Sequence, residues 1–307
     1  MKLSVIIVNW NTRELLAQCL RAIESNTAPA LLADIEVFVV DNASHDGSAA
    51  MLQNDFPHVN LIQNPGNVGF ASANNQAIRQ SSGEYILLLN PDTKVHKGAL
   101  DTLVDFLDTH PNVGGVGPRL LNPDGTLQVS CYPAPTLARE LWRLLHLDVL
   151  YPYGSYRMHS WPVDVPREVD VVQGACLLVP STVLEQIGLM DENFFMYTEE
   201  VDLIYRIRKS GRSIFWVPSS EVIHYGGQST QQVAAEMFLH LYMSKISYIR
   251  KHYGPIAALA YKCVLAFAGL LRLVIGPLAL LQRQPTQRRH MALVSNYRQL
   301  LMALPSM

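Results

Sequence analysis

Asn90-Pro91-Asp92 follows directly on the apolar run Tyr85-Ile86-Leu87-Leu88-Leu89. This puts a carboxylate, beside an amide oxygen, at the carboxyl end of a buried strand, the edge where open α/β sheets bind ligands. A second acidic cluster, Glu199-Glu200-Val201-Asp202, lies much further along, and His224 follows it. Carboxylates and an imidazole can hold a hard divalent cation, and a carboxylate can take a proton from a nucleophile. Together these groups point to metal-assisted group transfer.

The elements that must position them read as alternating strands and helices. Strands are expected over residues 3–9, 35–40 (ending in Asp41-Asn42), 59–63, 84–89 and 113–117. Helices are expected over 12–25, with Thr12 as N-cap, and over 44–55, 70–81 and 98–109. Such spacing implies parallel βαβ units with right-handed crossovers, a nucleotide-binding half of Rossmann type. Neither a Gly-x-Gly-x-x-Gly turn nor a Walker A pattern is present, which disfavours dinucleotide binding of the usual kind. Leu121-Asn122-Pro123-Asp124-Gly125-Thr126-Leu127 reads as a hairpin turn. Residues 132–168, rich in Pro, Tyr and Trp, read either as a mobile acceptor loop or as an irregular surface connection. Beyond them come a strand over 169–180, helices over 181–187 and 199–209, and short strands over 213–217 and 221–225.

After Gln231 the pattern becomes helical, and residues 256–281 are almost wholly apolar. Lys262, Arg272, Gly276 and Pro277 interrupt them, leaving pieces of about nine residues where a span needs about 20. Lys262 and Arg272 fall within about 80° of each other on a helix. This suggests a helix lying in a membrane interface with its cations toward the headgroups, joined by Arg283, Arg288 and Arg289. A soluble helix pair or a homodimer contact is the alternative.

The 307 residues are 49% apolar and 16% charged, with a formal charge of -2 and no long basic run. Nucleic acid is therefore not an expected partner. Cys19, Cys131, Cys176 and Cys263 lack metal-type spacing, which fits a reducing compartment and argues against zinc. The apolar N-terminus is too short for a signal peptide and reads as a first strand that starts in the cytosol.

Taken together, the motifs resemble family 2 glycosyltransferases of the GT-A fold, in particular the rhamnosyltransferase-like group. The matching residues are Val5-Ile6-Ile7-Val8-Asn9-Trp10-Asn11, Val40-Asp41-Asn42-Ala43-Ser44-x-Asp46-Gly47, Asn67-x-Gly69-Phe70-Ala71, Leu89-Asn90-Pro91-Asp92-Thr93, Tyr197-Thr198-Glu199-Glu200-Val201-Asp202-Leu203 and His224-x-Gly226-Gly227-x-Ser229. Each is weak alone; their order and spacing over residues 3–230 are specific. The resemblance implies an α/β fold, a GT-A type Rossmann-like mixed sheet flanked by helices, over residues 1–230, and the apolar pattern adds a helical extension over 231–307 that is expected to be membrane-associated.

By resemblance, Mg²⁺ or Mn²⁺ is held by Asp92, which matches the last acid of the family's Asp-x-Asp motif, and by His224. Asn90 replaces the first acid, a departure that removes one charge. Asp41 accepts from the base of a uracil or thymine, and Asn9 and Asn42 frame base and ribose. Asn67 and Gly69 approach the donor, and Gly174, in Gln173-Gly174-Ala175, leaves room for a sugar ring or for a tight strand contact. Glu200 matches the base that deprotonates the acceptor, and Glu199 orients it. Plainer readings remain for several: a turn histidine for His224, a helix-start glycine for Gly69, an acid-rich first helical turn for Glu199 and Glu200.

The resulting expectation is a metal-dependent inverting transferase. It takes a sugar, rhamnose from dTDP-rhamnose in the first instance, to a lipid-linked glycan hydroxyl in bacterial surface polysaccharide synthesis, such as O-antigen. It would act in the cytoplasm, peripheral on the inner membrane face. A UDP-hexose or UDP-N-acetylhexosamine donor is the alternative. Two readings of other classes are an inactive sugar-nucleotide-binding scaffold, which Asn90 allows, and a nucleotidyltransferase, which lacks its Gly-rich basic loop here.

Overall fold

The structure is a computed structural model that describes residues 1–275 and 286–307, with only the helical backbone considered for 286–292. The chain forms two compact units. One comprises Met1–Ala134, Tyr156–Phe195 and Glu199–Gln232, and the other Pro135–Ser155, Met196–Thr198 and Val233–Met307.

The first unit is built on strands β1 (Leu3–Asn9), β2 (Ile35–Asp41), β3 (Asn60–Gln63), β4 (Tyr85–Leu89), β5 (Thr93–Val95), β6 (Val113–Leu121), β7 (Cys131–Tyr132), β8 (Arg167–Val169), β9 (Val171–Val172), β10 (Cys176–Pro180) and β11 (Ser213–His224). The main sheet runs β3-β2-β1-β4-β10-β6-β11-β5, with β8 on β11 and a separate β7-β9 pair. β1 to β4 are mutually parallel where they pair, as the alternation with α1 (Arg13–Asn26), α2 (Pro29–Leu32), α3 (Ser48–Asp55) and α4 (Phe70–Ile78) requires. Leu3, Val5, Ile7, Leu87 and Leu89 enter one core and Ile6, Val8, Ile86 and Leu88 the other. A strand covered on both faces must be apolar at every position.

The sheet departs from the sequence reading in four places. The strand at 113–117 does not extend the parallel set: β10 is inserted antiparallel between β4 and β6. The apolar stretch at 169–180 is three strands, because Gln173-Gly174-Ala175 interrupts pairing before β10. The two strands read at 213–217 and 221–225 are one, β11, with a register shift between Val217 and Glu221. β5 was not foreseen; it pairs antiparallel with the end of β11, His224 opposite Thr93. Helices α5 (Ala99–Thr109), α6 (Leu137–Leu144), α7 (Ser181–Ile187) and α8 (Glu199–Lys209) complete the series up to β11. α6 lies in the segment 132–168, which is therefore not irregular throughout, and it belongs to the second unit.

That unit also holds α9 (Ala234–Tyr253), α10 (Pro255–Ile275) and α11 (Thr286–Ala303). α10 packs on α6, α9 and α11. It is one uninterrupted helix of 21 residues that carries both Lys262 and Arg272. Among the described residues it is the one helix long and apolar enough to cross a membrane by length and composition. Tyr261, Leu265 and Ala268 are buried, whereas Ile256, Leu259, Phe267, Leu270 and Val274 form an exposed apolar stripe. Arg272 does not fit the outward role read for it. Its guanidinium donates to Leu144 O at 3.0 Å and lies 4.6 Å from the Tyr297 ring centroid. The Gly276-Pro277 break, Arg283 and the side chains of Arg288 and Arg289 lie outside the described residues.

Glu140, only 2% exposed, meets Lys245 Nζ at 2.7 Å and Arg143 at 3.0 Å, and accepts from the Tyr261 hydroxyl at 3.3 Å. Burial alone would raise its pKa; Lys245 and Arg143 outweigh burial and hold it below the ordinary value. Stability from this carboxylate is therefore complete above the usual glutamate pKa and lost as pH falls through the lower folded value. Lys245→Met is expected to cost up to about 3 kcal/mol by removing the nearer of the two cations that match the buried charge and leaving Arg143 alone to do so. The melting-temperature advantage of wild type over Glu140→Gln should be full at about pH 7 and shrink toward zero below about pH 4.

Candidate active site

β1, β2 and β4 end at one edge, and their last residues carry the first polar groups. Asn9 is paired in register with Asp41, and its amide donates to Asp41 Oδ1 and to Ser44 Oγ, each at 3.0 Å. Thr12 Oγ1 donates to Asn9 Oδ1 at 2.7 Å, so Thr12 holds Asn9 and does not cap α1. The cap comes from Asp46, which accepts from Arg13 N at 2.7 Å. Ser44 N donates to Asp41 Oδ2 at 3.2 Å, and the intervening Ala43 sits at φ 65°. A non-glycine residue held there is a strained turn of the kind found at binding sites. It also delays α3, which starts at Ser48 and not at residue 44.

Asn42, Asn64, Asn67 and Gly69 form the next group. Asn42 Nδ2 donates to Asn67 Oδ1 at 2.8 Å, and Gly69 N donates to the same oxygen at 3.0 Å. Gly69 has φ 85° and ψ 166°, a region essentially confined to glycine. A Cβ there would lie 2.6 Å from Phe195 O, which accepts from Phe70 N at 2.7 Å. The close approach that Gly69 permits is thus to the segment leading into α8.

The β5–β11 register delivers His224 to Asp92. His224 Nε2 lies 3.4 Å from Asp92 Oδ1, and the two side chains are 4% and 7% exposed. Asn90 Nδ2 is 3.5 Å from the same Nε2. Asp92 Oδ2 accepts from Gln228 N at 3.4 Å, and His224 Nδ1 lies 2.7 Å from Gln128 Oε1. One carboxylate oxygen and one imidazole nitrogen facing each other suit Mn²⁺, and a hard cation such as Mg²⁺ through the oxygen. Among the described residues no group of three or more His, Cys, Asp or Glu side chains could hold a metal, so this pair needs further ligands from a bound molecule.

Asn90 N donates to Ala175 O at 2.9 Å, which carries the site across to β10. The adjacent Gly174 lies against Glu200: a Cβ there would be 3.1 Å from both Glu200 Cβ and Cγ. This neighbour is a side chain of α8, not another strand. Glu199 is buried, and its Oε2 has no hydrogen-bond partner. Burial first, then the charge of Glu200, push its carboxyl well above the ordinary range. Glu200 itself is half-buried. Asp202 belongs to the scaffold: it pairs with Arg206 at 2.9 Å, whose guanidinium also takes the carbonyls of Ile187, Gly188 and Leu189. Tyr197 and Thr198, at φ 66° and 72°, set the strained turn just before Glu199. Gln128 escaped the sequence reading, because it sits in no pattern that marks it, and Ser44 stood in a matched motif without being given a role.

The model of glycosyl transferase family 2 matches residues 4–159. The chain is 31% identical over 236 residues to the N-acetylglucosaminyl-diphospho-decaprenol L-rhamnosyltransferase of Mycobacterium tuberculosis, covering 72% of this chain and 76% of that one. It is 29% identical to the low-salt glycan biosynthesis hexosyltransferase Agl10 of Haloferax volcanii, over 78% and 72% of the two chains. The mannosyltransferase PcManGT from Pyrobaculum calidifontis, solved with GDP-Man and Mn²⁺, has the same fold at a TM-score of 0.58 and 18% identity, over 99% and 84% of the chains.

Gly47 and Gly69 separate backbone strain from steric clash. Both have positive φ, but a Cβ on Gly47 meets only the Arg13 side chain, at 3.6 Å. Gly47→Ala is expected to cost about 1 kcal/mol and Gly69→Ala about 3 kcal/mol or more, read by denaturant unfolding.

Proposed function

The chain belongs to glycosyl transferase family 2, and on that premise we propose that it moves a sugar from a nucleoside diphosphate donor to a glycan hydroxyl with inversion. One observation carries this reading: an unbroken run of contacts from His224 and Asp92, through Asn90–Ala175 and Gly174, to Glu200. It joins a cation-binding pair to a carboxylate suited to be a base. Glu200 takes the proton of the acceptor hydroxyl, which attacks the anomeric carbon from the face opposite the departing nucleotide. Glu199 keeps its own proton in its buried position, so that one negative charge, not two, stands at the acceptor. Asp41, with Asn9 and Asn42, receives the base and ribose of the nucleotide. Asp92 and His224 would hold Mg²⁺ or Mn²⁺, which would neutralise charge on the leaving group.

Rhamnose from dTDP-rhamnose is the donor we favour, and a lipid-linked glycan the acceptor. The L-rhamnosyl and decaprenol terms in the name of the mycobacterial relative support both. The exposed stripe on α10 supports a peripheral position on the cytoplasmic membrane face, where surface polysaccharide is assembled. A UDP-sugar donor keeps the same mechanism.

The test is release of dTDP or UDP from a panel of nucleotide sugars by purified protein with Mn²⁺ or Mg²⁺ and membranes as acceptor source. dTDP-rhamnose should be turned over and chelation should stop it. Glu200→Gln should lower kcat by about 10²–10⁴-fold. Glu199→Gln, which mimics the protonated acid, should retain most of the activity. Release from a UDP-sugar alone would replace the donor, and silence across the panel would favour an inactive scaffold.

A further inference from the structure

We propose that Gln128 is a positioning residue that fixes the ring tautomer of His224, so that the Nε2 lone pair faces Asp92. This rests on the reading of Asp92 and His224 as metal ligands. The argument starts from a group that has no choice of role. The main-chain carbonyl of His224 can only accept, and it lies 3.1 Å from one terminal atom of the Gln128 side chain. That atom is therefore the amide NH₂, which also donates to Asn122 Oδ1 at 3.0 Å. The other terminal atom is then the carbonyl oxygen Oε1, 2.7 Å from His224 Nδ1. An oxygen that can only accept requires a proton on Nδ1.

With Nδ1 donating, a neutral His224 carries its lone pair on Nε2, and Nε2 is the nitrogen turned to Asp92 Oδ1 at 3.4 Å. The Asn90 amide, 3.5 Å from Nε2, presents a donor to that lone pair. In the neutral ring two acceptors then face each other, an arrangement that a divalent cation between them would relieve. Gln128 thus grips one residue twice, by its main chain and by its ring, and sets which nitrogen is offered. Ligating histidines are commonly held in this manner, and loss of the holding group costs about 10–100-fold in metal affinity.

The two ends of the Gln128 amide can be tested apart. Gln128→Glu keeps an acceptor for Nδ1 but loses the donor to His224 O and Asn122. Gln128→Leu loses both. Mn²⁺ binding in the presence of UDP or dTDP would be measured by calorimetry. The tautomer would be read by long-range ¹H–¹⁵N correlation on metal-free protein, with His224 picked out from the ten histidines by comparison with His224→Gln. The expected result is Nδ1–H in wild type and in Gln128→Glu, with Mn²⁺ affinity of the Glu variant within about threefold of wild type and that of Gln128→Leu lower by about 10–100-fold. Equal losses in Glu and Leu would make the amide donor, and so a bracing role, the relevant one, and would overturn the proposal. So would Nε2–H in wild type, a reading that needs no variant to fold. If Asp92→Asn and His224→Gln leave Mn²⁺ binding unchanged, the ligand assignment itself falls and the proposal with it, a failure distinguishable because Gln128 plays no part in that comparison.

Discussion

The site depends on the pairing of three residues. β5, Thr93–Val95, lies antiparallel to the last turn of β11, with His224 opposite Thr93. A strand this short has no stability of its own. It persists because Val95 enters the core and because Thr93 Oγ1 donates to Asn90 O at 2.7 Å. The same pairing continues through Tyr225 N to Asp92 O at 2.9 Å. Asp92 is thus positioned by its main chain, and its carboxylate is left to face His224. A side chain that had to be held by its own oxygens would have fewer of them to offer a cation.

The reach of sequence reasoning follows from this architecture. β1, β2 and β4 were legible because strands buried on both faces are apolar over most of their length, Ser4 and Glu36 apart, and the polar residues Asn9, Asp41 and Asn90 stand out at their carboxyl ends. Family membership and the GT-A fold followed from these ends together with the later acidic and histidine motifs. β5 was not legible, since Thr-Lys-Val is too short to show a period. Nor was the break before β10 legible, because a glycine within an apolar run marks a bulge, a bend or a close contact alike, and only the fold shows that Glu200 lies against Gly174. Thr12 illustrates a conflict between local and tertiary demands. By local rules it caps α1, but Asn9 needs its hydroxyl, and Asp46 from a distant turn takes over the cap. Gln128 is recognisable only by what it touches, through the return of the chain from Leu121 to Leu127.

Two buried carboxylates in this chain show that burial favours the neutral acid unless neighbouring cations outweigh it. Glu140 and Glu199 are both nearly inaccessible, and burial pushes both toward the neutral acid. Lys245 and Arg143 reverse that for Glu140, which fixes it as an anion inside a helical unit. Glu199 has Glu200 as its charged neighbour, so charge and burial act in the same direction. Glu140 therefore contributes to stability, whereas ionised Glu199 would oppose it. A carboxyl pushed this way at the start of α8, next to Glu200, supports the acid–base roles proposed for the pair.

The same argument bears on the outer face of α10. A cation on a mostly apolar helix can turn outward to anionic headgroups or inward to carbonyls and rings, and Arg272 turns inward, to Leu144 O and Tyr297. The exposed stripe from Ile256 to Val274 is then held together by apolar surface alone. Association through charge weakens as salt screens it, whereas association through apolar area does not depend on a counter-charge. The stripe itself offers area, not charge. A bilayer edge supplies such area to a helix lying in its plane, and a substrate carried on a polyprenyl chain would be confined to that same boundary. The inward turn of Arg272 thus takes away from this stripe one of the cations that the sequence pattern had set beside it, and leaves the apolar area of the stripe itself in place.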